Sequence, residues 1–151
     1  MKLYKALKIR KGLVGEIARL KHQLSTKNSF LVGSKNAEKF DAVSCEKQLM
    51  EKINELVTLK YIINEANREI QTKIYLLGEY KALISFWDSI DVNQGSHTGS
   101  YSDVIKEFDV HFTEEIRDEK VKEYQLKVNA LQDEIDEFNH LTEIPWGETE
   151  E

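Results

Sequence analysis

Residues 49–84 read LMEKINELVTLKYIINEANREIQTKIYLLGEYKALI, and apolar positions recur through them at alternating steps of four and three. The row runs Leu49, Ile53, Leu56, Lys60, Ile63, Asn67, Ile70, Ile74, Leu77, Lys81 and Ile84. Such spacing turns one stripe of a helix toward a partner helix, as in a coiled coil or bundle. The stretch has no Pro, and Gly78 is its only Gly. Lys60, Asn67 and Lys81 are polar interruptions where the partner should lie. An Asn in such a row can fix register or oligomeric state at a cost in stability. Asn67 is either that, inside one long helix, or the hinge between two helices. A helix of about fifty residues would span about 75 Å, so a break over 64–68 competes with the unbroken phase.

Similar rows flank this one. Leu3, Ala6, Leu13, Ile17, Leu20 and Leu24 share a stripe interrupted only by Arg10, which predicts a first helix over 2–26. Gly12 and Gly15 weaken it by about 1 kcal/mol each relative to Ala. They mark either a close helix approach or plain weak spots. Residues 25–39, STKNSFLVGSKNAEK, form a connection. Phe30, Leu31 and Val32 are too apolar for a free linker and are expected to fold back onto the bundle. The second helix starts at Asp41 or Ser44. Residues 94–103, QGSHTGSYSD, read as a loop. After it, Ile105, Phe108, Val110 and Phe112 suggest a short extended segment, the last three with the period of two that a strand needs. Thr113 then caps a last helix to Leu141, with Glu114 and Glu115 where the dipole favours negative charge. Its stripe is Val121, Tyr124, Val128, Leu131, Ile135 and Phe138.

The expected fold is all-α: an antiparallel helical bundle with long coiled-coil-like helices and one short extended segment near 104–112. A single domain over 1–144 and an acidic tail over 145–151 complete it. The 151 residues suit one core, and 40% hydrophobic with 32% charged residues is a soluble helical balance. No window resembles a membrane span, and the basic start MKLYKALKIRKG lacks the apolar core of a signal peptide. Cys45 is the only Cys, which suits a reducing, cytoplasmic setting.

The net charge of −6 hides a gradient. Residues 1–24 hold seven Lys/Arg against one Glu, whereas residues 103–151 hold sixteen Asp/Glu against five Lys/Arg. A basic arm for nucleic acid is one reading. Pairing of the basic first helix with the acidic last one is the other, and overall acidity, which repels phosphate, favours it.

Chemistry-bearing motifs are sparse. His22, His97, His111 and His140 are scattered, and Glu137 with His140 makes one ExxH where a di-iron bundle needs two. Gly95 and Gly99 lack the Lys-Ser/Thr of a phosphate loop. Cys45 has no sequence-adjacent His to activate it. No catalytic residue, cofactor or metal is therefore assigned. The polar candidates are Asn64, Asn67 and Arg68, which can close a helix end or, with Tyr101, line an enzyme site. The candidate oligomer contacts are Phe86, Trp87 and Trp146.

Several segments together resemble the septicolysin-like family of small bacterial helical proteins. They are MKLYKALKIRKGLVGEIARLKHQL at the start, INEAN at 63–67, LISFWDSI at 83–90 and VNALQDEIDEFNHLTEI at 128–144. INEAN is the most specific, being similar to that family's Ile-Asn-x-x-Asn. NREIQTKIYLLGEYK lacks the short Gly-containing turn that family members carry next. The resemblance implies an all-helical, self-associating protein and transfers no catalytic residue. A toxin activity is not carried over, because no membrane-inserting segment is visible.

The functional expectation is a cytoplasmic helical-bundle protein that acts as a homo-oligomer or on a protein partner, without membrane insertion. An RNA-binding hairpin using Lys2, Lys5, Lys8 and Lys11 is the first alternative. An enzyme centred on Asn64, Asn67 and Arg68 is the second.

Overall fold

The computed structural model describes residues 1–34, 39–98 and 104–147. Four α-helices dominate: α1 Leu3–Lys27, α2 Ala42–Ala66, α3 Gln71–Ser89 and α4 Glu114–Leu141. A 3-10 turn, Asn67–Ile70, separates α2 from α3. Ahead of α4 stands an antiparallel hairpin of β1 Gly95–Thr98 and β2 Ile105–Phe108, in the register Gly95↔Phe108 to Thr98↔Ile105. The fold is mostly all-α with a short extended segment, as the sequence predicts. The chain divides into two compact units, Met1–Glu69 with Asp136–Glu151, and Ile70–Ile135.

The first unit rests on α1 and α2, which run antiparallel. Leu3 and Ala6 near the start of α1 share a buried cluster with Leu59 and Ile63 near the end of α2. At the opposite ends, the Cys45 thiol lies 3.8 Å from the Leu20 carbonyl. Between them, Lys52 approaches Glu16 at 3.9 Å and Glu55 at 2.9 Å. Asp41 caps α2 by accepting from the Ser44 amide at 2.9 Å, which places the helix start at the first of the two expected positions. Ile144 joins the same cluster, and Phe138 and Trp146 pack against it.

The N-terminal residues hold residues 142–144 directly. Leu3 N–H donates to Thr142 O at 2.9 Å, and Ile144 N–H donates to Met1 O at 2.8 Å. Lys2 has no N-capping side chain for α1, but its ammonium reaches the Leu141 carbonyl at 3.0 Å and the Glu143 carboxylate at 2.9 Å. The hydrogen bond and charge of Lys2 hold the Glu143 carboxyl below the usual carboxylate range.

The second unit pairs α3 with α4, also antiparallel. Lys73 bonds Glu134, the Tyr80 and Tyr124 rings sit 5.5 Å apart, and Trp87 meets Phe112 edge-on at 5.3 Å. The Lys127 ammonium lies 4.9 Å from the Tyr124 ring and 2.7 Å from Glu123. Thr113 caps α4, its hydroxyl accepting from Ile116 N–H at 3.3 Å.

Several local expectations are corrected. β1 lies within residues read as loop: Gly95, at φ +97°, turns the chain into an edge that pairs with β2. Residues 99–103 lie outside the described residues. Val110 and Phe112 do not extend β2, because the Asp109 carboxylate accepts the Val110 amide at 2.8 Å and breaks the ladder. Phe30, Leu31 and Val32 are exposed rather than folded back. A turn closed by Ser34 N–H on Leu31 O, with Gly33 at φ +82°, carries them outward. Gly12 and Gly15 are weak spots, since a methyl group at either would meet nothing within 4 Å.

Two outcomes follow. Gly12→Ala and Gly15→Ala should each stabilise the chain by about 0.5–1 kcal/mol, read from urea unfolding, through helix propensity alone. A lowered folded-state pKa at Glu143 gives stability that is present above the ordinary carboxylate pKa and fades as pH falls through the lower folded value. Acid should therefore lower the protection factors for hydrogen exchange at the Leu3 and Ile144 amides, after correction for the intrinsic rate, and Glu143→Gln should flatten that pH dependence.

Candidate interaction surface

α3 buries none of its residues. On one side of the helix Ile74, Leu77, Tyr80, Ile84 and Trp87 are half-buried, Tyr80 meeting Tyr124 of α4 and Trp87 meeting Phe112 just ahead of it. At 100° per residue, Tyr75, Glu79, Ala82 and Phe86 fall together on the opposite side. Leu76 and Leu83 flank that second row. Tyr75 is 67% exposed, Phe86 54% and Leu76 39%. A helix apolar on two sides is normally covered on both. Here one side is covered by α4 and the other faces solvent. Lys73, Lys81 and Asp88 lie on the half that carries Leu77, which leaves Glu79 as the single charge of the outward half.

This surface was only partly visible in the sequence. The outward row has its own four-three spacing, but the stronger Leu49–Ile84 row masks it. That stronger row is the internal one in both units: Leu49, Ile53 and Leu56 are half-buried, and Ile63 and Ile70 are buried. Its interruptions Lys60 and Lys81 are exposed at its edges. Asn67 stands at the hinge, where its backbone N–H closes the end of α2 onto Ile63 O.

Of the candidate contacts, Phe86 belongs to the outward row. Trp87 instead packs between Phe86 and Phe112, with the Phe86 ring 5.6 Å away. Trp146 lies half-buried against the first unit's core.

Asn64 is exposed and Asn67 half-buried, while Arg68 bonds Glu65 at 3.1 Å on the surface. Tyr101 lies outside the described residues. A groove of about 440 Å³ lies between Thr26 and Phe40, with Lys27 stacked 5.3 Å from the Phe40 ring. Among the described residues, no group of three or more His, Cys, Asp or Glu is placed to hold a metal. His140 is engaged otherwise: it stacks on Tyr4 at 4.6 Å, and its Nδ1 lies 2.7 Å from Asp136 O.

On the basic side of α1, Lys2 pairs with Glu143, and Lys8 lies 5.8 Å from the Tyr4 ring. Lys5 and Lys11 are exposed. No helix among the described residues is long and apolar enough to cross a membrane. Comparison with protein-family models, with curated proteins and with solved structures finds no match to this chain.

The Arg68–Glu65 pair spans one exposed helical turn, and such pairs contribute little. Arg68→Ala should therefore leave the urea midpoint of the chain unchanged. A clear drop would reveal a structural role for that cluster.

Proposed function

We propose that this chain acts by protein–protein association, with itself or with another protein, and that the outward face of α3 is its main contact surface. The observation that carries this reading is a nineteen-residue helix that is apolar on two sides and buries no residue. A contact there would remove Tyr75, Leu76 and Phe86 from water, and aromatic side chains dominate the energetics of such interfaces.

A cytoplasmic setting is part of the proposal. Its support is the single Cys, a free thiol buried against α1. Membership of the septicolysin-like family is likewise proposed, on INEAN, which ends α2, and on LISFWDSI, which ends α3.

Multi-angle light scattering at micromolar concentration, together with cross-linked capture from cells using the full chain as bait, tests the association. The expected outcome is an oligomer or a specific captured protein. A stable monomer that captures nothing would sink the proposal.

A further inference from the structure

We infer that the outward face of α3 pairs with the same face of a second copy of this chain, antiparallel, about a two-fold axis midway between Glu79 and Ala82. The inference rests on the association proposed above and names its partner. The argument starts from the row Thr72, Tyr75, Glu79, Ala82, Phe86, Ser89, whose spacing of three and four is the same read in either direction. In the antiparallel pair, Tyr75 lies opposite Phe86 of the second copy, and Glu79 opposite its Ala82. Large rings meet rings, and next to the two-fold axis the one carboxylate faces a methyl group. A parallel pair would instead set Glu79 against Glu79, an unfavourable meeting of like charges.

The edges of the face agree with this arrangement. A perpendicular two-fold axis brings like edges together, so Leu76 and Leu83 interleave with Leu83 and Leu76 of the second copy. The other edge holds Gly78 and Ser85. A methyl group at Gly78 would meet nothing within 4 Å in this chain, so that edge is open to a second helix. The segregation of Lys73, Lys81 and Asp88 to the opposite half completes the complementarity, because no unpaired cation or second anion enters the contact. A single helix of about 28 Å buries a modest area, so a reversible dimer is expected rather than an obligate one.

The full chain is measured by light scattering and sedimentation, alongside Ala82→Glu and, on the exposed face of α2, Val57→Glu. Ala82 is exposed and Glu is a good helix former, so helicity by circular dichroism should be retained. Ala82→Glu should raise the dimer Kd by about a hundredfold or more, because it opposes two carboxylates at the centre of the contact. Val57→Glu should leave the Kd unchanged. Tyr75→Cys and Phe86→Cys chains, oxidised after mixing, should form a mixed disulfide that neither forms alone and that the unsubstituted chain lacks.

Three results overturn the inference while leaving the association standing. They are a dimer indifferent to Ala82→Glu, a disulfide joining Tyr75→Cys to itself, and a monomer that captures a different protein. A monomer that captures nothing overturns both.

Discussion

The backbone clasp between the first three residues and residues 142–144 closes the chain on itself. Met1 and Leu3 exchange hydrogen bonds with Ile144 and Thr142 across nearly the whole sequence. The α1–α2 pair could form locally, since its contacts join neighbouring helices. Ile144 and Trp146 reach that pair only because the clasp fixes where the end of α4 lies. Closing so long a loop costs entropy that grows slowly with its length. Burial of Leu3 and Ile144, both nearly inaccessible to water, offsets it. The charge gradient along the sequence finds its local expression here, where Lys2 meets Glu143 and the carbonyl end of α4.

The two units differ in how well their apolar surface is covered. In the first, Leu3, Ala6, Leu13, Leu59, Ile63 and Ile144 form a continuous buried cluster. In the second, the buried residues are Ile70, Val128 and Ile135, and α3 supplies half-buried contacts only. Among the described residues, the two helices and short exposed hairpin of the second unit bury few side chains fully. The second unit is thus where added cover would bring the largest gain. Its aromatic pairs, Tyr80 with Tyr124 and Trp87 with Phe112, stiffen the helix pair without closing it.

Helix identity was legible because it depends on short-range periodicity and caps, which the sequence displays directly. The α1, α2 and α4 stripes are the buried ones, and Thr113 caps as its position implies. Asp41 and Ser44 could not be separated beforehand, since both are good caps and only the bond between them decides. β1 escaped notice because its residues, Gly-Ser-His-Thr, carry no apolar alternation and pair through backbone alone. The outward face of α3 was obscured for a different reason. Periodicity identifies a stripe that can be buried but does not say which of two stripes on one helix meets the neighbour within the chain. The break expected over 64–68 falls where α2 gives way to the 3-10 turn Asn67–Ile70, beside the polar residues Asn64, Asn67 and Arg68.

Cys45 carries a consequence of another kind. It is the only thiol in the chain, it lies in the α1–α2 interface, and it is almost wholly shielded from solvent. An alkylating reagent can reach it only when that helix pair comes apart. Its labelling rate is then a direct clock for the opening of the first unit, read without any introduced probe. Ligands, salts or partners that tighten the α1–α2 pair will slow that clock, and those that act only on α3 will leave it running at the same pace.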